Sequence, residues 1–142
     1  MKKNKLAASF AYDLGLIGVI CSLPEYKVVW WINQQTQLHL VKQDDIEIEL
    51  KGQSVLTISN FFFETDHVTI RLLSNRLVGD KTGSRVYLVN DLDQFQYLIT
   101  IDDKYDTFDL QNFMGELKNI ETIQYSTSID IKKLKDKENL IL

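Results

Sequence analysis

The sequence predicts an α+β fold: an antiparallel sheet with two main helices packed on one of its faces. Three observations carry this. Several β-rich runs follow one another with short polar connections, which favours antiparallel pairing. Ile46, Ile48 and Leu50 alternate with Glu47, Glu49 and Lys51, the period of a half-exposed strand. Leu110, Phe113, Met114 and Leu117 recur at i, i+3, i+4 and i+7, the stripe of a helix lying on a core. A chain of 142 residues fits one domain, residues 1–142.

The first ordered run is Leu14-Gly15-Leu16-Ile17-Gly18-Val19-Ile20, short and β-branched, which reads as a buried strand. Gly15 and Gly18 mark either a close approach of another element or a strand irregularity. The next stretch reads as a helix. Ser22 and Glu25 have the spacing of a capping box, and Pro24 suits a first turn. At about 100° per residue, Tyr26, Val28, Val29, Trp30 and Ile32 share one broad face. Trp31 falls among Lys27, Gln34 and Gln35, so of two adjacent tryptophans Trp31 is expected to point outward.

Beyond this helix, Gln43-Asp44-Asp45 is a candidate turn before the alternating strand, and Lys51-Gly52-Gln53-Ser54 is another. Residues 55–63 and 68–73 are β-rich, with Glu64-Thr65-Asp66-His67 as their hairpin loop. Residues 78–84 form the longest flexible candidate, 85–89 resume strand character, and Asn90-Asp91-Leu92-Asp93 suits a turn. Residues 95–101 read as a strand. Asp106 or Thr107 is placed to cap the second helix. Residues 120–125 could form a last strand, and Leu140-Ile141-Leu142 suggests an apolar tail docked on the body or on a partner.

Composition narrows the function classes. The apolar and charged shares, 44% and 25%, are ordinary for a globular domain. The net charge of −4 speaks against a dedicated nucleic-acid binder, which needs a basic stripe. Cys21 is the only cysteine, so no internal disulfide can form, in keeping with a reducing compartment. Lys2, Lys3 and Lys5 imitate the start of a secretion signal, but Asp13 interrupts the apolar run and Ile20 is too large before Cys21 for a lipoprotein site. No run approaches the ~20 apolar residues of a membrane span. A cytoplasmic protein with no membrane partner is expected.

Candidate chemistry is sparse. Asp80-Lys81-Thr82-Gly83 resembles the phosphorylated-aspartate motif of ion-pumping ATPases, but Ser84 replaces its following threonine and the chain is far too short. His39 and His67 share no metal-ligand spacing with each other or with Cys21. Cys21 borders a helix start, where a thiol pKa can fall, yet free cysteine is commonly a buried small apolar group. The acidic groups Asp44/Asp45, Asp91/Asp93 and Asp102/Asp103/Asp106 sit at turns, where Asp bonds its own backbone. No catalytic, cofactor-binding or metal-binding residue is assigned, and no cofactor is implied. In Phe61-Phe62-Phe63, alternation forces either Phe62 or its two neighbours onto the face away from the helices.

Several stretches together resemble the bacterial IPExxxVDY family of small proteins. They include Leu16-Ile17-Gly18-Val19, Leu23-Pro24-Glu25-Tyr26-Lys27, Trp30-Trp31-Ile32-Asn33, Asp44-Asp45-Ile46-Glu47 and Ser74-Asn75-Arg76. Val89-Asn90-Asp91 stands where the family has Ile-Pro-Glu, and Phe95-Gln96-Tyr97 where it has Val-Asp-Tyr; Leu134-Lys135-Asp136-Lys137-Glu138-Asn139-Leu140-Ile141 closes the series. The resemblance spans nearly the whole chain. It implies a cytoplasmic protein of uncharacterised function and supplies no catalytic residues.

The reading that follows is a non-enzymatic interaction module, binding a protein partner or forming a homo-oligomer, with Trp31 and Phe62 as anchors. A ligand-binding or enzymatic domain would need Asp102, Asp103 and Asp106, or Asp80 with Lys81, to line a pocket. An RNA-associated factor would need Lys132, Lys133, Lys135 and Lys137 to join Lys2, Lys3 and Lys5 on one face.

Overall fold

A computed structural model describes residues 14–49, 55–78 and 85–140. Six strands form one antiparallel sheet in the order β2-β3-β4-β7-β1-β8. They are β1 (Gly15–Ile20), β2 (Val41–Glu49), β3 (Val55–Glu64), β4 (Val68–Ser74), β7 (Tyr97–Asp103) and β8 (Tyr125–Ser128). A separate two-stranded ribbon pairs β5 (Arg76–Val78) with β6 (Arg85–Tyr87). Helices α1 (Glu25–Gln35) and α2 (Leu110–Lys118) both lie on one face of the sheet. The architecture is therefore α+β, as the alternating strands and the helical stripe require.

The sheet is covered on both sides, and each side has its own core. On the helix side, Val28, Val29 and Ile32 of α1 and Phe113 and Leu117 of α2 pack on Ile17, Val19, Ile70, Leu72 and Ile99. On the other side, Leu16, Leu73 and Leu98 are covered by Leu88, Val89, Leu92 and Phe95 and by the C-terminal segment through Ile131, Leu134 and Leu140. Strands β1 and β7 are therefore buried on both faces, which is why they read as unbroken apolar runs. Leu140 is 3% exposed, so the apolar tail docks on its own chain up to that residue; residues 141 and 142 lie outside the described part.

Gly18 has a specific packing role. A Cβ there would stand 2.7 Å from Phe95 Cδ1 and 2.8 Å from Ile129 Cδ1. The close-approach reading of this glycine holds: the missing side chain is the room in which Phe95 lies on the sheet.

Asn75, between β4 and β5, is fully buried and fully bonded. Its Nδ2 donates to the carbonyls of Leu92 (2.8 Å) and Phe95 (3.2 Å), and its Oδ1 accepts from the Val89 N–H (2.8 Å). Its main chain adds bonds to Gln96 and Leu88, each 2.9 Å. One side chain thus fixes the 88–96 segment that roofs the second core.

Several local expectations change. The Ser22/Glu25 capping box does not form; Pro24 is the N-cap, and no side chain caps α1. Gln43-Asp44-Asp45 is no turn but an irregularity inside β2, where the register to β3 shifts between Gln43 and Ile46. The cap of α2 is Asp109, whose carboxylate accepts from the Asn112 N–H (3.0 Å), and not Asp106 or Thr107. The last strand starts at Tyr125, after a turn in which Ile120 and Ile123 face the helix-side core. The turn expected at 51–54 and nearly all of the loop at 78–84, with Asp80 and Lys81, lie outside the described residues.

Candidate functional site

The tryptophan pair is where structure and sequence reading part. One indole does point outward, but it is Trp30, 54% exposed, while Trp31 is half-buried against the helix-side core. The buried arc of α1 is only Val28, Val29 and Ile32. At about 100° per residue, Trp30 lies roughly 150° from its middle and Trp31 roughly 105°. The face that the sequence predicts is too wide, because Tyr26 and Trp30 are apolar enough to count as inward. In fact the aliphatic arc meets the sheet, and the larger rings are left at the rim.

The two indoles meet edge to face, with centroids 5.0 Å apart and planes at 87°. Together with Leu23, Tyr26, Lys27 and Thr122 they line a groove of about 450 Å³. Its walls are almost wholly carbon. Beside it the Thr122 hydroxyl is buried without a hydrogen-bond partner. Tyr26 at 64% and Trp30 at 54% exposure make this an aromatic surface that the described chain leaves open.

Phe62 does not join this surface. Phe61 and Phe63 pack against the helix-side core, so alternation puts Phe62 on the opposite face. There it is half-buried, with the Arg71 guanidinium 5.9 Å from its ring centroid. The two expected anchors are on different sides of the sheet.

Beneath the start of α1, a knot of titratable groups holds the helix to the sheet. The Tyr97 hydroxyl donates to the Leu23 carbonyl, and burial, with the negative charges of Glu25 and Cys21 nearby, pushes its pKa up to about 12. Burial also raises the Glu25 carboxyl, offset in part by a hydrogen bond from Ser59 and by Lys42; nearby Asp45 adds to the rise. Cys21 is 1% exposed; its Sγ donates to the Thr122 carbonyl (3.1 Å) and its N–H to Gln96 Oε1 (2.9 Å). Burial pushes this thiol up, the opposite of an activated nucleophile.

The other residues singled out in the sequence hold the fold together or stand apart. His39 is exposed between α1 and β2; His67 is exposed in a hairpin loop, edge to face with Tyr105 at 5.0 Å. Asp103 accepts from Phe108 N–H (2.8 Å), Thr107 N–H (3.0 Å) and Thr107 Oγ1 (3.2 Å). Burial would raise its pKa, but these bonds outweigh it and lower it. Asp45 pairs with Lys42 at 2.7 Å. Asp91 accepts from the Lys135 N–H (3.0 Å), while Asp136 accepts from the N–H and side chain of Asn90, a reciprocal clamp on the C-terminal segment. Among the described residues, no three His, Cys, Asp or Glu side chains gather where a metal ion could sit.

The positions that carry the family resemblance are thus used internally: Asn90 and Asp91 clamp the tail, Gln96 and Tyr97 bond the approach to α1, and Asn75 ties the roof. Among the described residues no helix is long and apolar enough to cross a membrane. No protein-family model, curated protein or solved structure matches the chain.

Proposed function

We propose that the chain is a non-enzymatic, cytoplasmic protein-interaction module whose contact surface is the aromatic groove beside α1. The observation that supports this is Trp30, half-exposed and propped by Trp31, at the edge of an apolar groove of about 450 Å³. Exposed aromatics on a rigid helix are typical anchors, because a ring carries large contact area and loses little rotamer freedom on binding. The occupant is an apolar segment of a partner protein, with an acidic side chain facing Lys27. We also propose membership of the IPExxxVDY family, supported by the residues quoted above.

Trp30, rather than Trp31, is the residue to change, because Trp31 also packs against the core. Trp30→Ala loses the edge-to-face contact with Trp31, so it should cost about 0.5–1.5 kcal/mol and leave the protein folded. It should also abolish partner recovery in a pull-down from the native cell extract. A full set of partners recovered by a folded Trp30→Ala protein refutes the reading.

A further inference from the structure

The groove beside α1 is unevenly supplied with hydrogen-bonding groups, and that narrows what it can hold. The carbonyls around it are spent. The Leu23 carbonyl accepts from the Tyr97 hydroxyl, and the Thr122 carbonyl from Cys21 Sγ (3.1 Å). Those of Tyr26, Lys27, Trp30 and Trp31 lie within α1, where each serves the N–H four residues on. The side-chain donors are not spent. Among the described residues, neither indole N–H, nor the Tyr26 hydroxyl, nor the Lys27 ammonium has a partner. Indole and ammonium groups donate and never accept.

Tyr26 and Trp30 are four residues apart and form one ridge along the helix; Lys27 and Trp31 form the next. At 64% and 54% exposure, the Tyr26 and Trp30 rings are open to a ligand in the free chain. An occupant must therefore bring an apolar body, free acceptors and few donors. A helix arrives with its carbonyls already bonded. An ordinary extended strand has free carbonyls, but its inward N–H groups would meet a groove with no carbonyl left for them, and a buried unpaired N–H is costly. A proline-rich segment in the polyproline II conformation meets all three conditions. It makes no internal hydrogen bonds, so its carbonyls are free, and every proline removes an N–H and adds an apolar ring.

We infer that the groove binds a proline-rich segment of the partner protein in polyproline II form. Its rings pack against Trp31 between the two ridges, its carbonyls accept from the Trp30 indole and the Tyr26 hydroxyl, and a flanking acidic residue meets Lys27. Such a segment is largely preformed, so it loses little freedom on docking. This inference rests on the reading of the groove as a contact surface, and it adds the conformation and chemistry of the bound segment.

The test selects two displayed decapeptide libraries, both free of tryptophan, on the full chain. One is rich in proline; the other is built of Leu, Ala, Glu and Lys as helix formers, without proline. Trp30 and Trp31 are the only tryptophans of the chain, so their emission reports occupancy of the groove. The proline-rich library should yield peptides that carry an acidic residue, shift this emission, and lose about tenfold or more in affinity on Trp30→Ala. Replacing their central prolines by alanine should weaken them as much. Trp30→Phe keeps a ring and removes the N–H, and should cost a smaller factor, about three- to tenfold. Lys27→Glu should turn the acidic preference into a basic one. Trp30-dependent binding by the helical library alone overturns the inference and leaves the contact surface standing. Proline-rich binders that a folded Trp30→Ala protein holds as tightly as wild type overturn both. Enrichment of nothing from either library overturns the inference, and the pull-down then decides the contact surface by itself. A dimer, seen by sedimentation, that Trp30→Ala dissolves also overturns the inference, since a second copy then fills the groove.

Discussion

Asn75→Ala should be among the most damaging single polar substitutions in this chain. The change deletes three side-chain hydrogen bonds at once, to Leu92, Phe95 and Val89. The Leu92 carbonyl keeps a second donor, the Phe95 N–H at 3.0 Å. The Val89 N–H and the Phe95 carbonyl do not, and they are left buried without a partner. Each such orphan costs about 1–3 kcal/mol, so a loss of about 3–5 kcal/mol is expected. That is a large part of the ~5–15 kcal/mol that holds a typical domain folded. Urea denaturation followed by tryptophan fluorescence measures it: at a slope of ~2 kcal/mol per molar, the midpoint should fall by about 2 M. Asn75→Asp at neutral pH should be at least as harmful, since a carboxylate would turn an acceptor toward two carbonyls. A fall of less than about 1 kcal/mol for Asn75→Ala would refute the assignment of this side chain as the tie of the roof.

Two further outcomes follow from the same physics. Gly18→Ala places a methyl under 3 Å from the Phe95 ring and from Ile129. It should cost about 1–3 kcal/mol by overpacking, and Gly18→Ala combined with Phe95→Leu should recover part of the loss; additive losses argue against a shared clash. For Glu25 the folded pKa is raised, so its contribution to stability is greatest below the unfolded value near 4.5 and is lost as pH rises through the raised value. Glu25→Gln keeps an acceptor for Ser59 and removes the charge. Its urea midpoint should gain on wild type as pH climbs from about 4 to neutrality, and parallel profiles for the two proteins would contradict this.

What the sequence revealed, it revealed through periodicity. The strand at 14–20, the alternation at 46–49, the hairpin around 64–67 and the stripe from Leu110 to Leu117 all rest on side chains that must face one way, and each is where it was expected. The misreadings have a different origin. Residues 120–125 look like a strand because Ile120 and Ile123 are apolar and β-branched, but they are three apart and serve a turn over the core. Trp30 and Trp31 are sorted the wrong way round by the sequence, which points Trp31 outward, since α1 carries apolar groups around most of its circumference. The second core was hidden because its cover is irregular chain with no period. Asn75 gave no signal of burial, because only the folded chain brings Leu92, Phe95 and Val89 around it. The order of the strands in the sheet, with β1 between β7 and β8, is not encoded in local pattern.

That strand order has a consequence for how the chain can acquire its shape. β1 lies between β7 and β8, whose residues come roughly 80 and 110 positions later. Hairpins such as β3–β4 can close as soon as they are made, but the apolar ribbon at the front has nothing to pair with until the last third of the chain exists. Contacts of such long sequence separation slow folding. A nascent polypeptide halted before residue 97 would therefore hold a bare, two-sided hydrophobic strand, and it is in that interval that this protein should most need a chaperone.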